Sequence, residues 1–345
     1  MKNFIGGNNE VNIAIESLYK EYPNINDFFR SIGISDFDKS MNAKQIISTL
    51  DIEYLEESGS SKKQILHEFL SFIEKMKEIK NTVRYTINSI TVIGGHDKSG
   101  AEEDVKITFK PGEIICIVGR TGSGKSRLLE DIECLAQKDT PTGRQILVNE
   151  SVPEENERFS MDTKLVAQLS QNMNFVMDVT VEEFITMHAE SRMVDNVKEI
   201  VESIIKCAND LAGEKFLKDV PVTQLSGGQS RALMIADTAL LSKSPIVLID
   251  EIENAGIDRK MAIEVLMKEE KIILMSTHDP ILALIGNKRI VIKNGGIKKI
   301  IETNSKERNN VDILEKFDAK LVGIRNKLRK GETIDFDIKK YFKID

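Results

Sequence analysis

The segment from Gly119 to Ser126, GRTGSGKS, has residue types and a spacing that suit the binding of a chain of phosphates. It follows the apolar stretch EIICIV and precedes SRLLEDIECLAQ, so we expect it to join a strand to a helix. Its glycines let successive backbone N–H groups point inward, and the helix N-terminus adds positive potential. Lys125 is then placed to reach the β- and γ-phosphates, and Ser126 to bind Mg²⁺. A glycine-rich turn can produce parts of this pattern by chance, but the strand and helix around it favour phosphate binding.

Two adjacent carboxylates, Asp250 and Glu251, end a second apolar stretch, PIVLID. We expect this strand to lie beside the strand that leads into the phosphate loop, which would place Asp250 where Mg²⁺ needs a carboxylate ligand. Glu251 would point elsewhere and is placed to orient or deprotonate an attacking water. A solvated strand end is the alternative, and the phosphate loop upstream favours the catalytic interpretation.

His278 ends a third apolar stretch, KIILMSTHD. A single histidine at a strand end often has only a structural role. Because the carboxyl ends of parallel strands meet at one edge of a sheet, this side chain is expected near the same phosphates. We therefore predict that His278 contacts the γ-phosphate.

Strands alternate with helices from about residue 82 to 303, a pattern that predicts an α/β core. Residues 180–217 form a helical insertion between two core strands, and RIVIKNGGIKKIIE is predicted to be a hairpin that turns at Asn294-Gly295. The strands of this region are predicted at TVRYTINSITVIGG, DVKITFK, EIICIVG, RQILVN, KLVAQLS, PIVLID and KIILMST.

The flanking segments, residues 1–80 and 304–345, are predicted to be helical. Their apolar faces need burial, either on a partner or within the same subunit. We hypothesise that both flanks select a partner and do not build the site. The residues on these faces are Leu66, Phe69, Phe72 and Ile73 in the first segment and Leu314, Phe317 and Leu321 in the second.

Composition argues against several classes of protein. A chain of 345 residues with a net charge of −7 lacks the basic excess of a nucleic-acid coat or a membrane-surface binder. Its 3 cysteines and 4 histidines are scattered, which argues against a metal cluster and disulfides. No apolar run approaches the roughly 18–20 residues that span a bilayer. We therefore expect a cytoplasmic protein that neither inserts into a membrane nor binds nucleic acid directly.

In order and spacing, GRTGSGKS, LSGGQ, IVLIDE and STHD resemble the motifs of the ATP-binding-cassette (ABC) ATPases, over about residues 82–303. The resemblance implies a P-loop NTPase (RecA-like) core with an antiparallel β subdomain and a helical signature subdomain at about 178–240. The N-terminal helical domain and the C-terminal helix are additions to that core. ATP and Mg²⁺ are the implied ligands, and ATP hydrolysis is the implied activity.

LSGGQ, residues 225–229, has a specific role in this resemblance. In the family, the Ser-Gly-Gly turn of one subunit closes over the ATP that the phosphate loop of the other subunit holds. The chain has one phosphate loop and one such turn, so the resemblance implies a homodimer with two ATP molecules at its interface.

The resemblance also completes the predicted site. Gln171 matches the family's hinge glutamine, a ligand of Mg²⁺ or of the attacking water, with Gln168 as the competing choice. Asp258 matches the aspartate of the dimer-coupling loop. The predicted hydrolytic residues are Glu251, His278 and Gln171, and the predicted Mg²⁺ ligands are Ser126, Gln171 and Asp250. The predicted nucleotide-binding residues are Gly119, Arg120, Thr121, Gly122, Ser123, Gly124, Lys125, Ser126, Arg127, Ser226, Gly227, Gly228, Gln229 and His96.

The sequence departs from the family at several positions. Ile252-Glu253 follows the catalytic glutamate where Pro-Thr is usual, and the loop ENAGID has one extra residue. Arg127 replaces a small hydroxyl residue near the α-phosphate. The aromatic residue that stacks on adenine is absent, and His96 either takes its place or is a plain loop histidine.

Three roles for the ATPase remain open at this point. The main hypothesis is a soluble ATPase that remodels or reactivates a protein partner, which the N-terminal helices and Ile252 favour. The alternative is the nucleotide-binding subunit of a transporter whose permease is another chain, which the short distance from phosphate loop to LSGGQ favours. A DNA-maintenance ATPase is a third hypothesis, disfavoured by the negative charge and the absence of a long coiled coil.

Overall fold

The structure, a computed structural model, describes residues 10–22, 25–51, 54–55, 58–80, 87–159, 164–170, 175–194, 196–252, 257–268 and 270–343. The chain divides into two compact units, one of residues 1–85, 178–205 and 217–222 and one of residues 86–177, 206–216 and 223–345. The predicted signature subdomain is thus shared between the units. The finer division into 1–80, 82–303 and 304–345 stays our proposal.

Both units contain helices, and the nine strands that the structure describes all lie in the second unit. Short 3₁₀ helices occur at Glu10–Asn12 and Val222–Gln224. The α-helices are α1 (Ile15–Glu21), α2 (Ile25–Ser31), α3 (Ala43–Ser48), α4 (Lys62–Lys80), α5 (Lys125–Glu133), α6 (Glu155–Phe159), α7 (Val181–Ser191), α8 (Val197–Leu211), α9 (Gly227–Leu240), α10 (Arg259–Met267), α11 (Pro280–Ile285), α12 (Ser305–Arg329) and α13 (Ile338–Phe342).

An aromatic cluster forms the core of the N-terminal helices. The Phe28 ring lies 5.3 Å from the Phe69 ring and 5.5 Å from the Phe72 ring, between centroids. Phe69 and Ile73 on α4 are buried, and Leu66 and Phe72 pack against the same cluster. The apolar face of α4 is therefore covered by the N-terminal helices themselves.

The second unit contains a three-stranded antiparallel sheet in the order β2-β1-β4, made of β1 (Ile90–Ile93), β2 (Lys106–Phe109) and β4 (Gln145–Val148). The sequence analysis grouped RQILVN with the strands of the α/β core, and this was wrong. The strand instead pairs antiparallel with β1, from Ile90 opposite Val148 to Ile93 opposite Gln145. Apolar alternation alone does not tell which sheet a strand joins.

A six-stranded sheet has the order β5-β6-β7-β3-β8-β9 and holds the predicted core strands. The strand before Asp250 was expected next to the strand before the phosphate loop, and this was wrong, because β7 lies between them. All five residues of β7 are buried, as is usual for a strand paired in parallel on both sides. Its strands are β3 (Ile114–Val118), β5 (Val166–Leu169), β6 (Ile246–Asp250), β7 (Ile272–Ser276), β8 (Lys288–Lys293) and β9 (Gly296–Glu302).

The hairpin predicted at Asn294-Gly295 is confirmed. Strands β8 and β9 pair antiparallel, and Asn294 and Gly295 take φ values of 54° and 83° between them. Two successive positive φ angles are typical of the turn that matches the twist of a hairpin.

The predicted tail helix is confirmed as α12, which begins with the side chain of Asn304 accepting from the Glu307 N–H. It packs on α11, and Arg259 of α10 donates to Asp318 at 2.6 Å. Phe317 stacks on Phe342 of α13 at 6.1 Å and keeps 40% of its surface exposed. The apolar face of this helix is thus only partly covered.

Candidate functional site

The phosphate loop joins β3 to α5 in the arrangement that the sequence predicts. Gly124, at the N-terminal end of α5, has a φ of 104°, a region that favours glycine. A Cβ added at Gly119 would lie 2.5 Å from the carbonyl oxygen of Ile292 and 2.6 Å from Ser123 Oγ. Both positions therefore require glycine, one for its backbone angle and one for a close approach of β8.

Three charged or ionisable side chains meet at the end of the loop. Lys125 is buried, and its Nζ donates to the Gly119 carbonyl at 3.2 Å. The same Nζ lies 3.0 Å from Nε2 of His278, which lies 3.5 Å from Oε1 of Glu251. The structure thus brings together the three side chains that the sequence assigned to the γ-phosphate and the attacking water.

Ser126 and Asp250 also lie close together, although β3, which leads to the phosphate loop, and β6, which ends at Asp250, are not adjacent in the sheet. Ser126 Oγ donates to Asp250 Oδ2 at 3.3 Å. Two such oxygens suit Mg²⁺, which prefers oxygen ligands and usually keeps waters and substrate phosphates in its shell. Among the residues that the structure describes, no three His, Cys, Asp or Glu side chains form a metal cluster. The Ser126 and Asp250 oxygens fit an ion that shares its coordination with a phosphate.

The backbone of Glu251 is held on both sides. Its φ of 51° lies in the left-handed region, which is unusual for a residue with a side chain. The Glu251 N–H donates to the Ser276 carbonyl at 3.0 Å, and the Glu251 carbonyl accepts from Arg231 Nη1 at 3.1 Å. The sequence analysis missed Arg231. Its one signal in the sequence is a charged residue immediately before the largely apolar run ALMIADTAL.

A cavity of about 850 Å³ extends from the phosphate loop to the loop at residues 96–100. We call the part beside Lys125 and Glu251 the phosphate end and the part beside His96 and Thr142 the base end. Predicted residues in the lining are His96, Thr121, Gly122, Gly124, Lys125, Ser126, Arg127 and Glu251. Residues that the sequence analysis missed are Asp97, Lys98, Ser99, Gly100, Glu130, Pro141, Thr142 and Gly295.

Asp97 shapes the loop at the base end. Its Oδ1 accepts from the Ser99 N–H at 2.8 Å, the Ser99 hydroxyl at 2.5 Å and the Ala101 N–H at 3.2 Å. The Ser99 side chain and backbone are the main reasons that the pKa of Asp97 falls to about 2. Lys98 Nζ then donates to the Gly122 carbonyl at 3.1 Å, which ties this loop to the phosphate loop.

A buried ion cluster of Arg144, Glu103 and Asp131 supports the base end. Arg144 donates to both Glu103 oxygens at 2.7 and 2.9 Å and to Asp131 at 2.9 Å, and all three side chains are at most 2% exposed. Burial raises the pKa of Glu103, but hydrogen bonds from Arg144 and backbone N–H groups outweigh it and lower that pKa. Thr142 in the cavity lining donates to Asp131 at 2.9 Å.

The signature turn lies at the start of α9 and faces solvent. Ser226 Oγ accepts from the Gln229 N–H at 3.3 Å, and the Gln229 side chain accepts from the Ser226 N–H at 2.8 Å. Ser226 and Gly227 are exposed. None of residues 225–229, all of which the structure describes, lines the cavity of its own phosphate loop.

The remaining predicted residues are placed less completely. Gln171 lies outside the described residues, as does the loop at 253–256, so their predicted roles stay predictions. Gln168, the competing glutamine, lies within β5 beside Glu133 of α5. Asp258 caps α10 by accepting from the Met261 N–H at 3.0 Å. Arg127 pairs with Glu130 at 2.7 Å, and both side chains line the cavity.

Comparison with known proteins identifies the family. The family model described as ABC transporter matches residues 103–254. An uncharacterised ABC transporter ATP-binding protein of Methanocaldococcus jannaschii is 53% identical over 249 residues, which cover 72% of this chain and 95% of that protein. The chain belongs to the ABC ATPase family. It is therefore an enzyme that binds and hydrolyses ATP.

Other proteins similar to this ABC ATPase are named for the system to which they belong. The lipoprotein-releasing system ATP-binding protein LolD of Rickettsia typhi is 29% identical over 222 residues, which cover 61% of this chain and 96% of that protein. The solved structure of cbiO1 from Clostridium perfringens, part of the ABC transporter complex cbiONQ, has a TM-score of 0.50 at 20% identity, over 71% of this chain and 100% of that one. This likeness shows the P-loop NTPase fold. None of the described helices has the length and hydropathy to cross a membrane.

Proposed function

We propose that this ABC ATPase is the nucleotide-binding subunit of an ABC transporter, in the cytoplasm, with the membrane spans on another chain. The observation that carries this proposal is the match over 95% of the archaeal transporter ATP-binding protein. LolD, matched over 96% of its length, supports it at lower identity. These relatives favour transport over the soluble-partner hypothesis, which rested on the N-terminal helices and Ile252.

Two copies of the chain would form the working unit. Each phosphate end contains Lys125 and Glu251 but no residue of its own signature turn, which faces solvent at residues 226–227. The N-terminus of a 14-residue helix, whose first N–H groups have no carbonyl partner within the helix, suits the γ-phosphate. A homodimer in which each turn closes over the ATP of the other subunit satisfies both observations.

The hydrolytic step follows from the side chains at the phosphate end. The oxygen of a water bonds to the γ-phosphorus while the bond from that phosphorus to the β–γ bridging oxygen breaks, which leaves ADP and phosphate. Glu251 orients this water and accepts its proton, and such a base contributes about 10²–10⁴ in rate. Lys125 and His278 hold the γ-phosphate oxygens and offset their charge.

Other residues would bind and orient the nucleotide. Ser126 and Asp250, with Gln171, would hold Mg²⁺, which neutralises phosphate charge when bound. Arg127 would face the α-phosphate, and His96 would stack on the base.

The dimer is tested with Glu251→Gln, which should bind ATP and Mg²⁺ but hydrolyse ATP about 10²–10⁴ times more slowly. We expect size-exclusion chromatography with light scattering to show a dimer with ATP and a monomer without it. Adding Ser226→Arg should leave ATP bound but abolish the dimer, because this turn serves only the other subunit. A Glu251→Gln variant that stays monomeric with ATP bound would refute the sandwich.

The transport role is tested by affinity purification of tagged Glu251→Gln from detergent-solubilised membranes with ATP. A stoichiometric partner with several membrane spans is expected, and added partner should change the ATPase rate of the wild type. If instead a soluble enzyme co-purifies in stoichiometric amount and stimulates hydrolysis, the transport proposal is wrong and the soluble-partner hypothesis replaces it.

A further inference from the structure

Arg231 occupies an unusual position for a charged side chain. It lies one turn into α9, five residues after Ser226, and is only 7% exposed. A buried guanidinium must be hydrogen-bonded, since its desolvation is otherwise costly. Its Nη1 donates to the backbone carbonyl of Glu251 at 3.1 Å. The signature helix therefore touches the residue proposed to activate water, through a side chain that no motif includes.

This contact acts on a strained backbone. A φ of 51° at Glu251 disfavours any residue other than glycine, asparagine or aspartate, so the conformation persists only if its surroundings hold it. The Ser276 carbonyl holds the N–H of this residue and Arg231 holds its carbonyl. In this conformation Oε1 of Glu251 lies 3.5 Å from His278 Nε2. Without Arg231, the peptide after Glu251 loses a partner and is freer to rotate.

We propose that Arg231 is a positioning residue for hydrolysis, which fixes the direction of the Glu251 carboxylate by holding its carbonyl. Because Arg231 and the signature turn share the first turns of α9, engagement of that turn by the other subunit's ATP would reach Glu251 through this side chain. This inference rests on the proposed role of Glu251, and it adds a residue that touches neither ATP nor water.

The first test compares Arg231→Met with Arg231→Lys. With Met, kcat should fall about 10- to 100-fold, the range for losing a hydrogen bond from a charged donor, while ATP affinity and KM change less than about threefold. Lysine keeps the positive charge and can still donate a hydrogen bond, so it should recover part of the rate. Arg289→Met is the matched control, since it removes an arginine paired with Glu307 away from the site and should leave kcat unchanged.

A second test separates positioning from general damage. In the Glu251→Gln background, Arg231→Met should lower the residual rate less than about twofold, because residues that act through one group are not additive. A full further loss in that background, an unchanged kcat in Arg231→Met, or an equal loss of ATP affinity would each overturn the inference. If the Met variant does not fold, the Lys variant decides by the same comparison of kcat with affinity. Near-normal turnover of Glu251→Gln alone would instead refute the proposed role of Glu251.

Discussion

The two ends of the nucleotide cavity use charge in opposite ways. At the phosphate end, Lys125, Ser126 and Glu251 line the cavity, and the Ser126 hydroxyl donates to Asp250. At the base end, Arg144 and Glu103 do not line the cavity and form a buried ion pair with each other. The charged residues of the phosphate end serve ligand binding and hydrolysis. Those of the base end stabilise the structure around the cavity. Substitutions should therefore affect binding at one end and stability at the other.

The largest expected effect is on stability, from Arg144→Met. Removing the arginine leaves two buried carboxylates without their partner, and breaking such a buried ion group costs about 3–5 kcal/mol. Chemical denaturation should show this loss in the free energy of unfolding. Lys218→Met is the control, since Lys218 forms an exposed pair with Glu182 and its loss should cost far less stability. Equal losses in both variants would remove the distinction between the ends.

Lys125→Ala should affect ligand binding without comparable loss of stability. A buried ammonium that reaches two phosphates is replaced by a methyl group, so ATP affinity should fall at least about 100-fold, or about 2.7 kcal/mol. Isothermal titration calorimetry measures this directly. Lys260→Ala, which removes a surface pair with Glu315, should leave affinity unchanged. Micromolar ATP binding by Lys125→Ala would contradict the assignment of the phosphate end.

Acid should weaken the base end through Glu103. Its pKa is lowered in the folded chain, so its contribution to stability is present above the unfolded pKa of about 4.3 and is lost as pH falls through the folded value. Unfolding free energies measured down through pH 4 should therefore decline less steeply for Glu103→Gln than for the wild type, although the variant is less stable at pH 7. Parallel pH profiles would show that the cluster does not titrate this way.

The smallest expected effect comes from His96→Ala. Stacking of a base on an aromatic ring contributes about 1 kcal/mol at the lower end of its range, which is about fivefold in ATP affinity. Inorganic triphosphate, which has no base, should bind the variant and the wild type equally. His67→Ala on α4 is the control and should change neither affinity. An equal loss of affinity for ATP and for triphosphate would instead show that His96 contacts the phosphates and not the base.

The sequence could predict the phosphate loop between β3 and α5 because the residues of that loop are local. A loop that binds phosphate needs its glycines, its lysine and its hydroxyl within eight residues. The apolar run before Asp250 predicts a buried strand, and the carboxylate follows directly at the end of that strand. The convergence of Lys125, Glu251 and His278 follows once these strands share one parallel sheet.

The base end could not be predicted in the same way. Arg144, Glu103 and Asp131 are scattered along the chain, and only the tertiary fold brings them together, since Asp131 lies on helix α5. The order of the strands β6, β7 and β3 could not be predicted for a related reason. The residues of KIILMST do not indicate that this strand lies between the other two. Arg231 was missed because one charge in an apolar helix gives no indication of its partner.

The tip of the β8–β9 hairpin has a consequence for both ends of the cavity. The Gly295 N–H donates to the Ser123 carbonyl of the phosphate loop at 2.7 Å, and its own carbonyl accepts from Arg144 at 2.7 Å. A Cβ at Gly124 would lie 2.9 Å from the Gly295 Cα, so the two backbones nearly touch. Lengthening this tip by one residue would therefore be expected to lower both the affinity for ATP and the melting temperature.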